Sequence, residues 1–241
     1  MQAVVPAAGK GTRMGHLTAD QPKALVEVAG KPLLTHCFET LATLDVTELV
    51  VVVGHRGDDV RGQYGSSFAG IPISYVAQPA PRGLGDALAR AGTVLEGDFL
   101  HLNGDNVCDA NVDELAAAHR DADADVTMLV EEVSTDRARE GGVLAFDEEG
   151  SVSGIVEKPD DPPSTTIPRG CYAFSERILD ACEAIEPAHT GEYELSAAID
   201  RVLDRGGTVE TVPLDGWFVN VNTPADVAVA ERLLAGRTPP D

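Results

Sequence analysis

The segment Ala7-Ala8-Gly9-Lys10-Gly11-Thr12-Arg13-Met14-Gly15 follows directly on the first apolar run of the chain. Small residues and glycines let successive backbone N–H groups approach phosphate oxygens, because no Cβ blocks the approach and positive φ is permitted. Two familiar phosphate loops fail on spacing. The third glycine of a dinucleotide fingerprint would fall on Met14, and the Ser or Thr after a P-loop lysine would fall on Gly11. A glycine-rich turn alone is more often a connector, but here Arg13 and the Pro22-Lys23 pair bring two cations to the same loop. Arg13 can grip phosphate oxygens with a planar fork, and Lys23 acts as a compact point charge. The chain has only four lysines, Lys10, Lys23, Lys31 and Lys158, and three of them fall before Pro32. Asp105 follows a run that reads as a strand, where a carboxylate can hold magnesium while phosphates supply further oxygens. The competing reading is a turn aspartate beside Gly104.

The elements that must position these groups alternate. Gln2 to Ala8 reads as a buried strand, Pro32 to about Leu44 as a helix, and Glu48 to Val53 as a second strand stopping at Gly54-His55, with a polar, potentially helical stretch after it. A strand (Ile73 to Ala77), a helix (Leu84 to Val94), a strand (Phe99 to Asn103), a helix (Val112 to Ala122) and a strand (Asp125 to Val133) continue the pattern. This is an α/β, Rossmann-like, open and mostly parallel sheet flanked by helices, with ligands expected beyond the strand carboxyl ends. The character then changes. Gly142 to Phe146 and Val152 to Glu157 flank Asp147-Glu148-Glu149-Gly150 as a hairpin. A loop at Asp160 to Ser164, a strand (Gly170 to Phe174), helices near Glu176 to Ile185 and Glu192 to Arg205, and a strand (Thr208 to Val212) follow. Thr223-Pro224 caps a last helix, and the tail after Gly236 is expected to fray. One domain over 1–241 is expected, with a first part to about 133, a second part from about 134 to 220 and a terminal helix over about 223–236.

Composition narrows the partners. With 18 basic against 40 acidic residues the formal charge is −22, which opposes a phosphate-neutralising nucleic-acid surface and a membrane surface. The excess of acid and scarcity of lysine suit a salt-adapted protein, since molar salt shortens the Debye length to ~3 Å and removes most self-repulsion. An ordinary acidic protein is the plainer alternative. Cys37, Cys108, Cys171 and Cys182 show neither CxxC spacing nor histidine partners, so core thiols are expected. No targeting or membrane-spanning segment is evident, which indicates the cytoplasm. His55 and His101 read as ordinary polar groups, and Trp217 as a packing residue at a seam.

Taken together, Gly9-Lys10-Gly11-Thr12-Arg13, Pro22-Lys23 and Gly30-Lys31-Pro32-Leu33 resemble the signature of the sugar-phosphate nucleotidyltransferases, the NDP-sugar pyrophosphorylases. The likeness continues through Gln78-Pro79, Gly83-Leu84, Gly104-Asp105-Asn106, Glu157-Lys158-Pro159, Gly191-Glu192-Tyr193-Glu194 and Asn222-Thr223-Pro224, and is nearest to short uridylyl- and thymidylyltransferases, archaeal ones included. The resemblance implies Mg2+-dependent transfer of a nucleoside monophosphate from UTP or dTTP to glucose 1-phosphate or N-acetylglucosamine 1-phosphate. GTP with mannose 1-phosphate, CTP with phosphocholine, a non-catalytic sensor and a homo-oligomer all stay open. It implies that Ala8, Gly9, Gly11, Thr12 and Arg13 hold the triphosphate, that Arg13, Lys23 and Lys158 act on the reacting phosphates, and that Gln78 and Gly83 read the base. Gly142, Glu157, Lys158 and Glu194 would take the sugar, and Asp105 and Asn220 the metal.

Two departures from the family pattern stand out. Asn220 occupies a position that many relatives fill with aspartate, with Asn222 a possible substitute ligand, and a neutral amide oxygen binds Mg2+ less tightly than a carboxylate. Pro6 stands where leucine is usual, and proline predicts that the first strand ends or bulges there.

Overall fold

A computed structural model describes residues 1–236, so the fraying expected after Gly236 lies outside the described residues. Among the described residues no helix is long and apolar enough to cross a membrane. The chain forms two compact units, each discontinuous in sequence. Met1–Pro81, Leu102–Ala110 and the described residues from Asp215 onward make the first, and Arg82–His101 with Asn111–Leu214 the second.

In the first unit the strands Gln2–Ala7, Leu49–Val53 and Ile71–Ala77 pair in parallel, from Ala3↔Leu49 to Ala7↔Val53 and from Leu49↔Ile73 to Val53↔Ala77. The short strand Ser67–Phe68 closes the edge antiparallel to Ile71 and Pro72. All of Leu49–Val53 is buried, which is why this strand reads as an unbroken apolar run rather than an alternating one. The helix Leu33–Ala42 turns Leu33, Leu34, Cys37, Phe38 and Leu41 inward at helical spacing, and the Phe38 ring packs on Tyr64 at 4.9 Å and Phe68 at 5.3 Å. Pro32 does not begin that helix. It ends the short strand Lys31–Pro32 with an extended ψ of 144°, and the helix starts one residue later. The polar stretch after His55 is helical over Gly57–Tyr64.

Pro6 neither ends nor bulges the first strand. Pairing with Leu49–Val53 keeps one register through Pro6↔Val52 to Ala7, and the Pro6 carbonyl accepts the Gly104 N–H at 3.1 Å. Proline gives up one donor, but its acceptor and its neighbours' bonds hold the strand straight. An antiparallel pair absent from the sequence-based element list, Asn106–Ala110 with Gly216–Asn220, runs from Gly216↔Ala110 to Asn220↔Asn106.

In the second unit Val126–Glu132 lies antiparallel to Thr166–Phe174 and parallel to Val209–Pro213. The register of Thr166–Phe174 slips between Pro168 and Tyr172, where a proline has no donor to offer the ladder. The hairpin Gly142–Phe146 and Val152–Glu157 forms as its turn residues predict, with Asp147 Oδ1 accepting the Glu149 and Ser151 N–H groups at 3.0 and 2.8 Å. Helices Leu84–Ala91, Val112–Ala122, Arg177–Ala184 and Leu195–Asp204 cover these strands. His101 is fully buried against Tyr172 and Phe174, with ring centroids 5.5 and 6.0 Å away, which makes it a core residue. The sheet is mixed and flanked by helices in each unit, the class indicated by the sequence.

Candidate active site

The loop after the first strand is held from both sides. Gly11 takes φ +62°, and a Cβ there would stand 2.9 Å from Lys23 Cβ and 2.9 Å from Thr18 Cγ2, so only glycine lets these residues press against the loop. Thr18 Oγ1 donates to the Gly11 carbonyl at 2.9 Å, closing a short helical segment over Thr12–Thr18. Met14, the residue that breaks the dinucleotide spacing, is fully buried with Val26, Val28, Leu33, Val107, Val221 and Ala230, and Trp217 packs on the same cluster. Met14 thus anchors the loop while Gly9, Thr12 and Arg13 stay exposed and Ala8 is buried.

That anchoring brings residues far apart in sequence into one network. Lys23, only 9% exposed, sets its Nζ 2.5 Å from Asp105 Oδ2 and 2.9 Å from Asn222 Oδ1. Arg13 Nη2 donates to the same Asn222 oxygen at 2.8 Å. Asn222 Nδ2 donates to Asn220 Oδ1 at 2.7 Å, and that amide end lies 3.2 and 3.1 Å from the two oxygens of Asp105. The helix Pro224–Leu234 holds the segment, because Asp226 Oδ2 accepts the backbone N–H groups of Asn222 and Thr223 at 2.9 and 2.7 Å in a capping box. Val221 N–H donates to the Asp105 carbonyl at 2.9 Å, pinning the two chain segments together.

This donor set suits a magnesium ion. Oxygens of one carboxylate and one amide converge, as Mg2+ sites do when phosphates complete the shell. No group of three His, Cys, Asp or Glu side chains forms a metal set among the described residues, so water or phosphate oxygens would supply the rest. Gln78 lies in the same unit, buried just past Ile71–Ala77, with its N–H donating to the Val53 carbonyl at 2.8 Å.

The second unit holds a cleft of about 230 Å³ lined in part by Gly83, Glu157, Lys158, Tyr172, Tyr193 and Glu194. Gly83 takes φ +91°, and a Cβ on it would stand 2.6 Å from the Tyr193 carbonyl, so the close approach of the two segments requires glycine. Tyr193 N–H donates to the Arg82 carbonyl at 2.7 Å, and its own carbonyl accepts the Gly85 N–H at 2.9 Å. Lys158 adopts φ +45° after the last residue of the hairpin, where its N–H donates to the Gly141 carbonyl at 2.9 Å. Gly142 pairs with Glu157 across the hairpin but does not line the cleft. Asp200 Oδ1 accepts the Ile155 N–H at 2.9 Å and clips the hairpin to the helix Leu195–Asp204. Burial holds the Asp200 carboxyl above the ordinary aspartate range, with the charges of Asp204 and Glu157 adding to it against the pull of that hydrogen bond. Tyr193 lay in a segment that carried the family likeness, whereas Tyr172 carried no sequence signal of a site. Tyr172 looked like any apolar strand residue, and burial, followed by the charge of Glu157, raises its hydroxyl's pKa.

The architecture is that of the nucleotide-diphospho-sugar transferases. The crystal structure of UDP-glucose pyrophosphorylase complexed with UDP-glucose superposes with a TM-score of 0.88 at 20% identity, covering 98% of each chain. The nucleotidyl transferase family matches residues 2–227, and the chain belongs to that family. It is 41% identical over 238 residues to UTP–glucose-1-phosphate uridylyltransferase AglF of Haloferax volcanii, covering 99% of this chain and 98% of that one. It is also 33% identical to a glucose-1-phosphate thymidylyltransferase of Streptomyces antibioticus, covering 97% of this chain and 66% of that longer one.

Proposed function

We propose that the chain transfers a nucleoside monophosphate from UTP or dTTP to glucose 1-phosphate or N-acetylglucosamine 1-phosphate, with Mg2+, in the cytoplasm of a salt-adapted cell. The observation that carries this reading is the gathering of Arg13 and Lys23 on one Asn222 oxygen beside Asp105 and Asn220. Two cations and a ligand pair of this kind serve a substrate that is both highly anionic and metal-bound. The 41% identity with a uridylyltransferase supports the choice of substrates, and the charge of −22 supports the choice of milieu.

In the proposed reaction an oxygen of the sugar phosphate attacks the α-phosphorus in line, the new P–O bond forms as the bond to the β-phosphate oxygen breaks, and the electron pair leaves with pyrophosphate. No proton need move, because the nucleophile is already anionic. Catalysis therefore rests on positioning and charge. Backbone N–H groups of Ala8 to Thr12 cradle the triphosphate, and Arg13 steadies the departing pyrophosphate. Lys23 contacts the reacting phosphates from its place beside Asp105 and Asn222. Asp105 and Asn220 would hold Mg2+, which supplies charge neutralisation on the phosphate oxygens when bound. Gln78 and Gly83 contact the base. Lys158 meets the sugar phosphate, while Glu157 and Glu194 accept hydrogen bonds from sugar hydroxyls.

The test is pyrophosphate release from each triphosphate with each sugar 1-phosphate in high salt, GTP with mannose 1-phosphate included. Release with UTP or dTTP that is abolished by Asp105→Ala is the expected result. Release only with GTP or CTP, or none with any pair, refutes the substrate assignment.

A further inference from the structure

Asparagine as a metal ligand carries a problem that aspartate does not, since only one end of its amide can face a cation. The end of Asn220 that faces Asp105 is its oxygen, 3.2 and 3.1 Å from the two carboxylate oxygens, so acceptor meets acceptor. Turning the amide over would let its nitrogen donate to Asp105, which viewed locally is the better arrangement. The neighbours decide otherwise. Arg and Lys side chains only donate, so the two cations at 2.8 and 2.9 Å require an oxygen at that end of Asn222. The other end of Asn222 is then its nitrogen, which stands 2.7 Å from Asn220 and requires an acceptor there. A turned Asn220 would set nitrogen against nitrogen. Turning both amides would set the Asn222 nitrogen against two cations, losing two charge-assisted bonds.

We infer that Asn222 is a positioning residue that holds the Asn220 amide with its oxygen towards Asp105, so that a neutral residue serves as a cation ligand with its orientation set beforehand. The inference rests on the proposed reaction only in taking this as the metal site. Asn222 can do this because its own backbone is fixed by the Asp226 cap and by the neighbouring Val221, which is fully buried. The same hydrogen bonds tie the ligand pair to Arg13 and Lys23, so the cation and the triphosphate would be received by one connected unit.

The experiment is a Mn2+ titration without nucleotide, in high KCl, followed by loss of the free-ion EPR signal. Binding that disappears in Asp105→Ala counts as site binding, which sets aside ions collected by the acidic surface. Asn222→Ala is expected to weaken that binding on the order of 10- to 100-fold, the usual cost of losing a partner that orients a ligand. In the Asn220→Asp background, where the carboxylate offers an oxygen in either orientation, Asn222→Ala should weaken it far less. Thermal melts of each variant establish that the chain is folded. Equal losses in both backgrounds, no loss in the native one, or no Mn2+ binding that depends on Asp105 would each overturn the inference. Pyrophosphate release by the unaltered chain is measured alongside. If it persists while the Mn2+ result fails, the positioning role falls and the transferase reading stands.

Discussion

Gly11→Ala tests the loop geometry most directly, because it adds one methyl group and removes no charge. An alanine at φ +62° costs about 1–2 kcal/mol in the left-handed region. Its Cβ would stand 2.9 Å from Lys23 Cβ and 2.9 Å from Thr18 Cγ2, so both must retreat by several tenths of an ångström, adding roughly 1 kcal/mol of overpacking. The total of about 2–3 kcal/mol corresponds, for a chain of this size, to a fall in Tm of roughly 5–10 °C. The displaced Lys23 also shifts relative to Asp105 and Asn222, which it now meets at 2.5 and 2.9 Å. In the proposed reaction Lys23 contacts the reacting phosphates, and a misplacement approaching 1 Å there costs up to about 100-fold in rate. The assay is pyrophosphate release with UTP and glucose 1-phosphate, well below the melting temperature of the variant, beside a thermal melt. A variant that melts with the native chain and works within about twofold of it would refute the claim that Lys23 is wedged against this glycine.

Two further outcomes follow from charge. In the second unit burial pushes the Asp125 carboxyl up, but bonds from Thr208, Ser175 and Arg177 outweigh it and hold it below the ordinary aspartate range. A depressed carboxylate stabilises the fold above about pH 4, and the contribution is lost as pH falls through the folded value. Asp125→Asn should therefore lower Tm at neutral pH by a margin that shrinks in acid, and a margin equal at both would contradict the assignment. For the whole chain, the formal charge of −22 predicts a Tm that climbs as KCl rises from about 0.1 to about 1 M, where the Debye length falls from ~10 to ~3 Å. A melt indifferent to salt would remove the salt-adapted reading.

Local chemistry in the sequence was enough for much of this molecule. Glycines, apolar runs and the Thr223 cap are short-range signals, so the glycine loop, the hairpin around Asp147 and the helix Pro224–Leu234 could be placed from neighbouring residues alone. The presence of Arg13, Lys23 and Asp105 as candidates was equally legible, since each is a charged residue in or beside a loop, whereas Asn220 entered only through the family resemblance. Their connections were not. Lys23 meets Asp105 across 82 positions and Asn222 across 199, and Arg13 meets Asn222 across 209. Those separations are bridged by the strand pair Asn106–Ala110 with Gly216–Asn220 and by the burial of Met14 and Val221, which depend on packing between distant segments. Proline at position 6 shows the same division: local rules predict a break, and the unbroken pairing with Leu49–Val53 carries the strand through it. The residue types say which chemistry is available; the orientation of the Asn220 amide is decided only by the obligate donors that tertiary structure places at the far side of Asn222.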